Sequence, residues 1–207
     1  IDHESDVSRI IDQLWQYQVD GVVAAAHLNE EQINLFHERN VPVVFYNRSY
    51  QNMPVSSVCC DQMDGERQLV DLLARNGRHK SFAVIGGPKD SVVSMQRTQG
   101  AIDRLHDLGI TDIVQAAGEY TYESGKKALQ EVIEQRGSLP DAVICANDIM
   151  AIGCMDEVRY RFDLDVPGDI SIVGFDGARS ANWSSIDLTT IVQPDESMAA
   201  AAFPMLS

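Results

Sequence analysis

The chain has 207 residues, of which 44% are hydrophobic, and 31 Asp and Glu residues against 16 Lys and Arg residues give it a formal charge of −15. A chain of this length and apolar content can bury one large core or two small ones. Its acidic surface repels phosphate backbones, which excludes nucleic-acid binding by this segment, and no apolar run reaches the length of a membrane span.

The first 60 residues alternate between helix-like and strand-like patterns. Apolar residues at helical spacing predict helices, and short continuous apolar runs predict buried strands. The predicted elements are a helix over 7–15, a strand over 19–26, a helix over 30–39, a strand over 41–48 and a strand over 56–60. A turn-rich break at 49–57, which contains Asn52 and Pro54, is the best internal boundary.

The same alternation continues to the end of the chain. Helices are predicted over 62–77, ending on an Asn76-Gly77 stop, over 91–108 and 125–136, from 148 to about 161, and from 196 on. Strands are predicted over 81–86, 110–117, 142–146 and 170–174, with an extended segment over 188–194 and a loop over 118–124. Because the strands are continuous apolar runs between helices, we predict an α/β fold whose parallel sheets are covered on both faces.

Sequence motifs for the common enzyme classes are absent. There is no G-x-G-x-x-G or G-x-x-x-x-G-K-[ST] cradle for a nucleotide and no G-x-S-x-G nucleophile elbow. None of the five histidines stands at metal-ligand spacing from a cysteine or another histidine. The four cysteines fit small core residues of a reducing cytoplasm, so we predict a cytoplasmic protein without catalysis, cofactor, metal or disulfide.

Polar side chains at strand ends instead favour binding of a small polar ligand. Asn147 and Asp176 each follow an apolar strand, and ligands bind at the carboxyl ends of strands in open α/β sheets. Arg97 can donate two aligned hydrogen bonds, and Tyr120 can offer an aromatic face. Structural roles compete with this interpretation. Asn147 could cap a helix, Arg97 could form a surface ion pair, and Tyr120 could pack over the apolar core. For Asp148 a helix cap is the better interpretation, with Asn147 facing the ligand.

Several motifs together resemble the C-terminal half of LacI/GalR-type transcriptional regulators. The motifs DAVICANDIMAIG (141–153), VPGDISIVGFDG (166–177) and LTTIVQP (188–194) carry the resemblance, and VPVVFYNR (41–48), NGRHKSFAVIGGP (76–88) and Arg97-x-x-Gly100 extend it in the same order. The first motif is shared with periplasmic sugar-binding proteins, whereas the second followed by the third is characteristic of the regulators. The resemblance covers essentially the whole chain.

The resemblance implies a periplasmic-binding-protein-like fold with two Rossmann-like subdomains joined by crossover strands. Residues 1–60 plus 193–207 would form an incomplete N-terminal subdomain and residues 61–192 the C-terminal one, with an effector cleft between them. The helix-turn-helix headpiece of the family is absent from this chain. By position, the resemblance assigns effector contacts to six residues: Asn47, Ser91, Arg97, Tyr120, Asn147 and Asp176.

The function implied is that of a homodimeric repressor that senses a sugar, a sugar derivative or a nucleoside-like effector. The repressor would contact operator DNA through its headpiece and would have no membrane partner. Two alternatives remain open from the sequence. A transport-associated sugar-binding protein would share the fold and the cleft. A Rossmann-like enzyme would turn the ligand over.

Overall fold

The computed structural model describes residues 3–50, 53–75 and 77–206, so the predicted turn at Asn52 and the Asn76 part of the predicted helix stop lie outside it. The helices are α1 His3–Leu14, α2 Glu30–Glu38, α3 Gln62–Ala74, α4 Val92–Asp107, α5 Tyr122–Arg136, α6 Asp148–Phe162 and α7 Asp195–Ala202. The strands are β1 Val22–Ala24, β2 Val43–Tyr46, β3 Ser56–Val58, β4 Ser81–Gly86, β5 Asp112–Ala117, β6 Ala142–Cys145, β7 Ser171–Asp176 and β8 Thr189–Val192. Short 3-10 turns occupy Trp15–Tyr17, Arg179–Asn182 and Phe203–Leu206.

The chain forms two compact units. Unit 1 comprises Ile1–Cys60 and Pro194–Ser207, and unit 2 comprises Asp61–Gln193. Each contains one sheet of parallel strands, in the order β1-β2-β3 in unit 1 and β5-β4-β6-β7-β8 in unit 2. The prediction of an α/β fold with parallel sheets in two subdomains is therefore confirmed.

Unit 1 is built around a small apolar core. The side chains of Ile33, Phe36 and Phe45 are buried there, and the Trp15 ring lies 4.9 Å from that of Phe36. The Tyr46 hydroxyl, at the end of β2, donates a 2.8 Å hydrogen bond to the Asp195 carboxylate at the start of α7. This bond ties the returning C-terminal segment to the sheet of its own unit.

Unit 2 has helices on both faces of its sheet. Helices α3 and α4 pack against each other on one face, and α5 and α6 pack against each other on the opposite face. The chain leaves β4 for α4 and β6 for α6, so these two neighbouring strands send their connections to opposite faces. A crevice opens at such a switch point, outside the carboxyl ends of the strands, and this is where α/β sheets bind ligands.

The helices of unit 2 begin at side chains that cap their first turns. Asp61, Ser91, Thr121 and Asn147 each accept a hydrogen bond from a backbone N–H of the helix that follows. Helix α5 begins at Tyr122 rather than at 125, so the predicted loop over 118–124 was three residues too long. A capping box formed by Thr121 and Ser124 fixes the earlier start.

Helices α5 and α6 touch at two glycines. A Cβ atom on Gly125 or Gly153 would lie closer than 3.0 Å to the backbone of Met150 or Tyr122, a distance at which real Cβ atoms are essentially never found. The absence of side chains at these positions lets the two helix backbones meet directly. The largest apolar core of unit 2 then fills the space between this helix pair and the sheet.

Within the described residues, no helix is long and apolar enough to cross a lipid bilayer. The same ranges contain no group of three or more His, Cys, Asp or Glu side chains arranged to hold a metal ion.

Candidate functional site

Arg97 is the centre of the candidate site. It lies on α4 with only 2% of its surface exposed, which makes it one of the largest fully buried side chains of the described chain. Its Nε donates to the Gln62 side chain (2.7 Å), and its Nη1 donates to the Ala146 carbonyl (2.5 Å) and pairs with Asp176 (2.9 Å). These contacts hold the guanidinium beneath the ends of β6 and β7.

The environment of Arg97 compensates for burying a charge. Its guanidinium carbon lies 3.8 Å from the centre of the Phe175 ring, within the range of a cation–π interaction. A buried ion is tolerated only when a counter-charge and hydrogen bonds replace its lost hydration. The competing interpretation of Arg97 as a surface ion-pair residue is therefore wrong, because the side chain is buried and fixed from three directions.

Asp176 ends β7 in a left-handed backbone conformation, with φ at +115°. One carboxylate oxygen pairs with Arg97 and also accepts a 2.6 Å hydrogen bond from the Gln193 side chain. The backbone N–H of Gln193 donates to the Asp176 carbonyl (3.3 Å), so Gln193 binds Asp176 twice. The Asp176 side chain remains about one-third exposed, which leaves part of its carboxylate accessible at the sheet edge.

Ser91, Tyr120 and Asn147 form a second group at the same edge. The hydroxyls of Ser91 and Tyr120 are 3.2 Å apart, and the Asn147 side-chain amide donates to the Tyr120 carbonyl (3.3 Å). The Tyr120 ring packs over Gly87, where a Cβ atom would overlap it. Because Asn147 directly follows Ala146, which holds Arg97, the two groups are adjacent along the edge.

The helix cap predicted for Asp148 is made by Asn147 instead. Asn147 caps α6 by accepting a 2.9 Å hydrogen bond from the Met150 N–H, whereas the Asp148 carboxyl bonds to groups outside α6. Asp148 is buried and accepts hydrogen bonds from the Ala178 N–H (2.6 Å) and the Thr190 hydroxyl (2.5 Å). The reason is geometric: a residue in the first helical turn points back toward the helix N-terminus, here over the ends of β7 and β8.

Burial raises the pKa of Asp148 from 3.8 to about 6, although the Thr190 and Ala178 hydrogen bonds oppose the shift. The native carboxyl therefore keeps its proton to higher pH than the unfolded chain does. Its contribution to stability is fully present below the unfolded pKa and is lost as pH rises through about 6.

Replacing Asp148 by Asn should lower the free energy of unfolding by about 1–3 kcal/mol, because one of the two donors then faces an amide N–H instead of an oxygen. The loss should be largest in acid and should shrink as pH rises through about 6, since only the wild-type group titrates. Urea unfolding at several pH values measures it. The exposed Glu131→Gln is the control; a pH-independent difference would contradict this account of Asp148.

Of the six residues assigned by resemblance, five lie at one edge of the unit 2 sheet: Ser91, Arg97, Tyr120, Asn147 and Asp176. Asn47 lies in unit 1, where it follows β2 with φ at +51° and donates its backbone N–H to the Val58 carbonyl (2.8 Å). The role of all six residues as ligand contacts stays a prediction.

Sequence reasoning missed three residues of this site, Gln62, Gln193 and Glu66. Gln193 follows β8, so the rule that strand ends carry ligand groups would have included it. Glu66 is buried in α3, and its spacing from Leu69, Val70 and Leu73 places it on the apolar face of that helix. The helical period was thus a usable signal for a carboxyl turned into the core.

Comparison with known proteins identifies the family to which the chain is similar. A model of the periplasmic binding protein-like domain matches residues 70–207. The chain is 32% identical over 187 residues to the HTH-type transcriptional repressor CytR of Escherichia coli strain K12, and the match covers 89% of this chain and 54% of CytR. The chain spans about half the length of the curated relatives it matches.

Two solved structures show the same fold. A LacI-family transcriptional regulator from Burkholderia phymatum superposes with a TM-score of 0.84 at 27% identity, over 98% of this chain and 74% of that one. A complex of the transcriptional regulator CelR with cellobiose superposes with a TM-score of 0.82 at 29% identity, over 96% and 62%. These relatives are transcriptional regulators, a class of proteins that are not enzymes.

Proposed function

The chain belongs to the periplasmic binding protein-like family as the effector-binding domain of a LacI-type transcriptional regulator, and on this premise we propose that it senses a small sugar-like ligand through the carboxyl edge of the unit 2 sheet. The observation that carries the proposal is the convergence of Arg97 and Asp176 with Ser91, Tyr120 and Asn147 at that edge. The effector would be a sugar, a sugar derivative or a nucleoside-like molecule.

The chemistry of this edge fits such a ligand. The partly exposed Asp176 carboxylate can accept hydrogen bonds from neighbouring hydroxyls, and the amide of Asn147 can both accept and donate them. The Tyr120 ring can stack on the apolar face of a sugar or base. The cellobiose complex of CelR supports this ligand class, because CelR shares the fold.

In the whole regulator, we propose that ligand binding changes the affinity for operator DNA. A ligand shifts such an equilibrium only by its differential affinity for two states, typically about 1–3 kcal/mol of coupling. DNA contact would be made by a helix-turn-helix part of the kind named in the relatives, in a homodimer that reads two half-sites. Helices α1 and α3 are the proposed dimer surfaces, and they expose Ile10 and Leu72.

The test is a calorimetric screen of the full protein against neutral sugars, sugar acids and nucleosides, with cellobiose as the first probe. We expect one class to bind and Tyr120→Ala to weaken that ligand by about tenfold, equivalent to about 1.4 kcal/mol of lost stacking and hydrogen bonding. Tyr160→Ala is the matched control, because this tyrosine is 86% exposed on α6. The ligand affinity of this variant should equal that of wild type.

Equal affinity of the Tyr120 variant and wild type would remove Tyr120 from the site. Conversion of a bound ligand into a product would contradict the regulator function and favour the enzyme alternative.

A further inference from the structure

Glu66 presents a buried carboxyl group that has no hydrogen-bond partner among the described residues. It lies on α3, with 1% of its surface exposed, and neither carboxyl oxygen is hydrogen-bonded within the described part of the chain. Such a group is costly to bury in its ionised form. A carboxyl placed in this way must either hold its proton or find a cation.

Arg97 has a buried donor whose hydrogen-bonding capacity is unused among the described residues. Its Nε and Nη1 atoms are hydrogen-bonded, whereas its buried Nη2 atom has no partner among the described residues. Glu66 and Arg97 line one narrow crevice between the helices α3 and α4 and the paired strands β4 and β6, together with uncharged side chains. The free donor and the free acceptor therefore border the same small space.

The charged groups that act on Glu66 within the described chain come from two elements. Arg97 acts on it from α4 and Asp176 from the end of β7, whereas the buried Cys145 thiol of β6 points to the opposite face of the sheet, where it contacts Cys154 of α6. Burial raises the pKa of Glu66 to about 8; Arg97 opposes this shift and Asp176 adds to it. The carboxyl is thus mainly neutral near pH 7.

We propose that Glu66 is a positioning residue that competes with Asp176 for Arg97, and that the proton on Glu66 keeps the Arg97 guanidinium at the ligand edge. While Glu66 is neutral, Asp176 is the only carboxylate in contact with Arg97 among the described residues. When Glu66 ionises, its carboxylate pairs with Nη2 and draws the guanidinium into the crevice, away from Gln62 and Asp176. The effect of this competition on ligand affinity rests on the proposed function, whereas the competition between Glu66 and Asp176 for Arg97 does not.

The first measurement is infrared titration of the full chain without ligand. A neutral-carboxyl band should persist at pH 7, disappear as pH rises through about 8, and be missing in Glu66→Gln. Asp148→Asn is the matched control, because Asp148 is a second buried carboxyl with a raised pKa, and this variant should keep the Glu66 band. If Glu66→Gln does not fold, Glu66→Ala removes the same carboxyl.

The second measurement follows Arg97 by the exchange of its Nε–H with water in nitrogen-15 spectra, assigned with Arg97→Lys. The hydrogen bond to Gln62 slows this exchange, so we expect the exchange rate to rise by about tenfold as Glu66 ionises in the wild-type chain. In Glu66→Gln the exchange rate should show no such rise. A Glu66 that is already ionised at pH 7, or that titrates without changing Arg97 exchange, would overturn the proposal. A failed ligand screen would leave both measurements unaffected.

Discussion

Replacing Arg97 by Met should lower the free energy of unfolding by about 3 kcal/mol, at the lower end of the range for breaking a buried ion pair. The substitution keeps an apolar stem of similar length but leaves the Gln62 side chain, the Ala146 carbonyl and Asp176 without their common donor. The lower end applies because Asp176 is one-third exposed and keeps its hydrogen bond to Gln193. Urea unfolding at neutral pH measures the change.

A surface arginine provides the matched control. Arg161 pairs with Glu157 at 2.8 Å, but its side chain is 57% exposed, and Gln130 still donates to Glu157 when Arg161 is gone. Arg161→Met should therefore cost no more than about 1 kcal/mol. Equal losses for the two variants would show that burial and the three contacts of Arg97 contribute nothing specific to stability.

The second large effect concerns the contact between α5 and α6. An alanine normally stabilises a helix interior by about 1 kcal/mol relative to glycine. At Gly153 the sign should reverse, because the new methyl group meets the Tyr122 carbonyl oxygen, and backbone cannot rotate out of the way as a side chain can. We expect Gly153→Ala to destabilise by about 3 kcal/mol, as overpacking of a close helix contact forces the pair apart.

For a domain of this size, that loss corresponds to a fall of about 6–12 °C in the melting temperature. Thermal unfolding followed by circular dichroism measures it, and Gly125→Ala, which meets the Met150 backbone, should behave alike. Glu131→Ala, at an exposed position of α5, should stay within about 0.5 kcal/mol of wild type. An unchanged or raised melting temperature for Gly153→Ala would contradict the direct backbone contact.

The fold was largely predictable because its signals are local. Continuous apolar runs separated by amphipathic segments are typical of parallel strands buried under helices, and each of the eight strands of the described chain overlaps a segment that was predicted as strand or extended. Strand order was not predictable in the same way. That β4 lies between β5 and β6 depends on packing between segments distant in sequence, for which a single sequence carries no direct signal.

The site was predictable in its outline because strand ends can also be recognised from local sequence. Strand ends meet at one edge of a parallel sheet, so Asn147 and Asp176 could be placed together before any coordinates. The helix cap was wrongly assigned to Asp148 instead of Asn147, since either residue type can cap a helix and only the direction of the first turn decides; that Asn147 contacts the ligand stays a prediction. Glu66 was overlooked because acidic residues are rarely buried without a partner.

Gln193, which holds Asp176 through two hydrogen bonds, lies at the end of unit 2. It is the last residue of unit 2, and Pro194 begins the segment that returns to unit 1. The side chain that holds Asp176 thus belongs to one of the two places where the chain passes between the units, the other being Cys60–Asp61. A substitution that breaks the hydrogen bond between Gln193 and Asp176 would therefore release the residue at which the chain leaves unit 2.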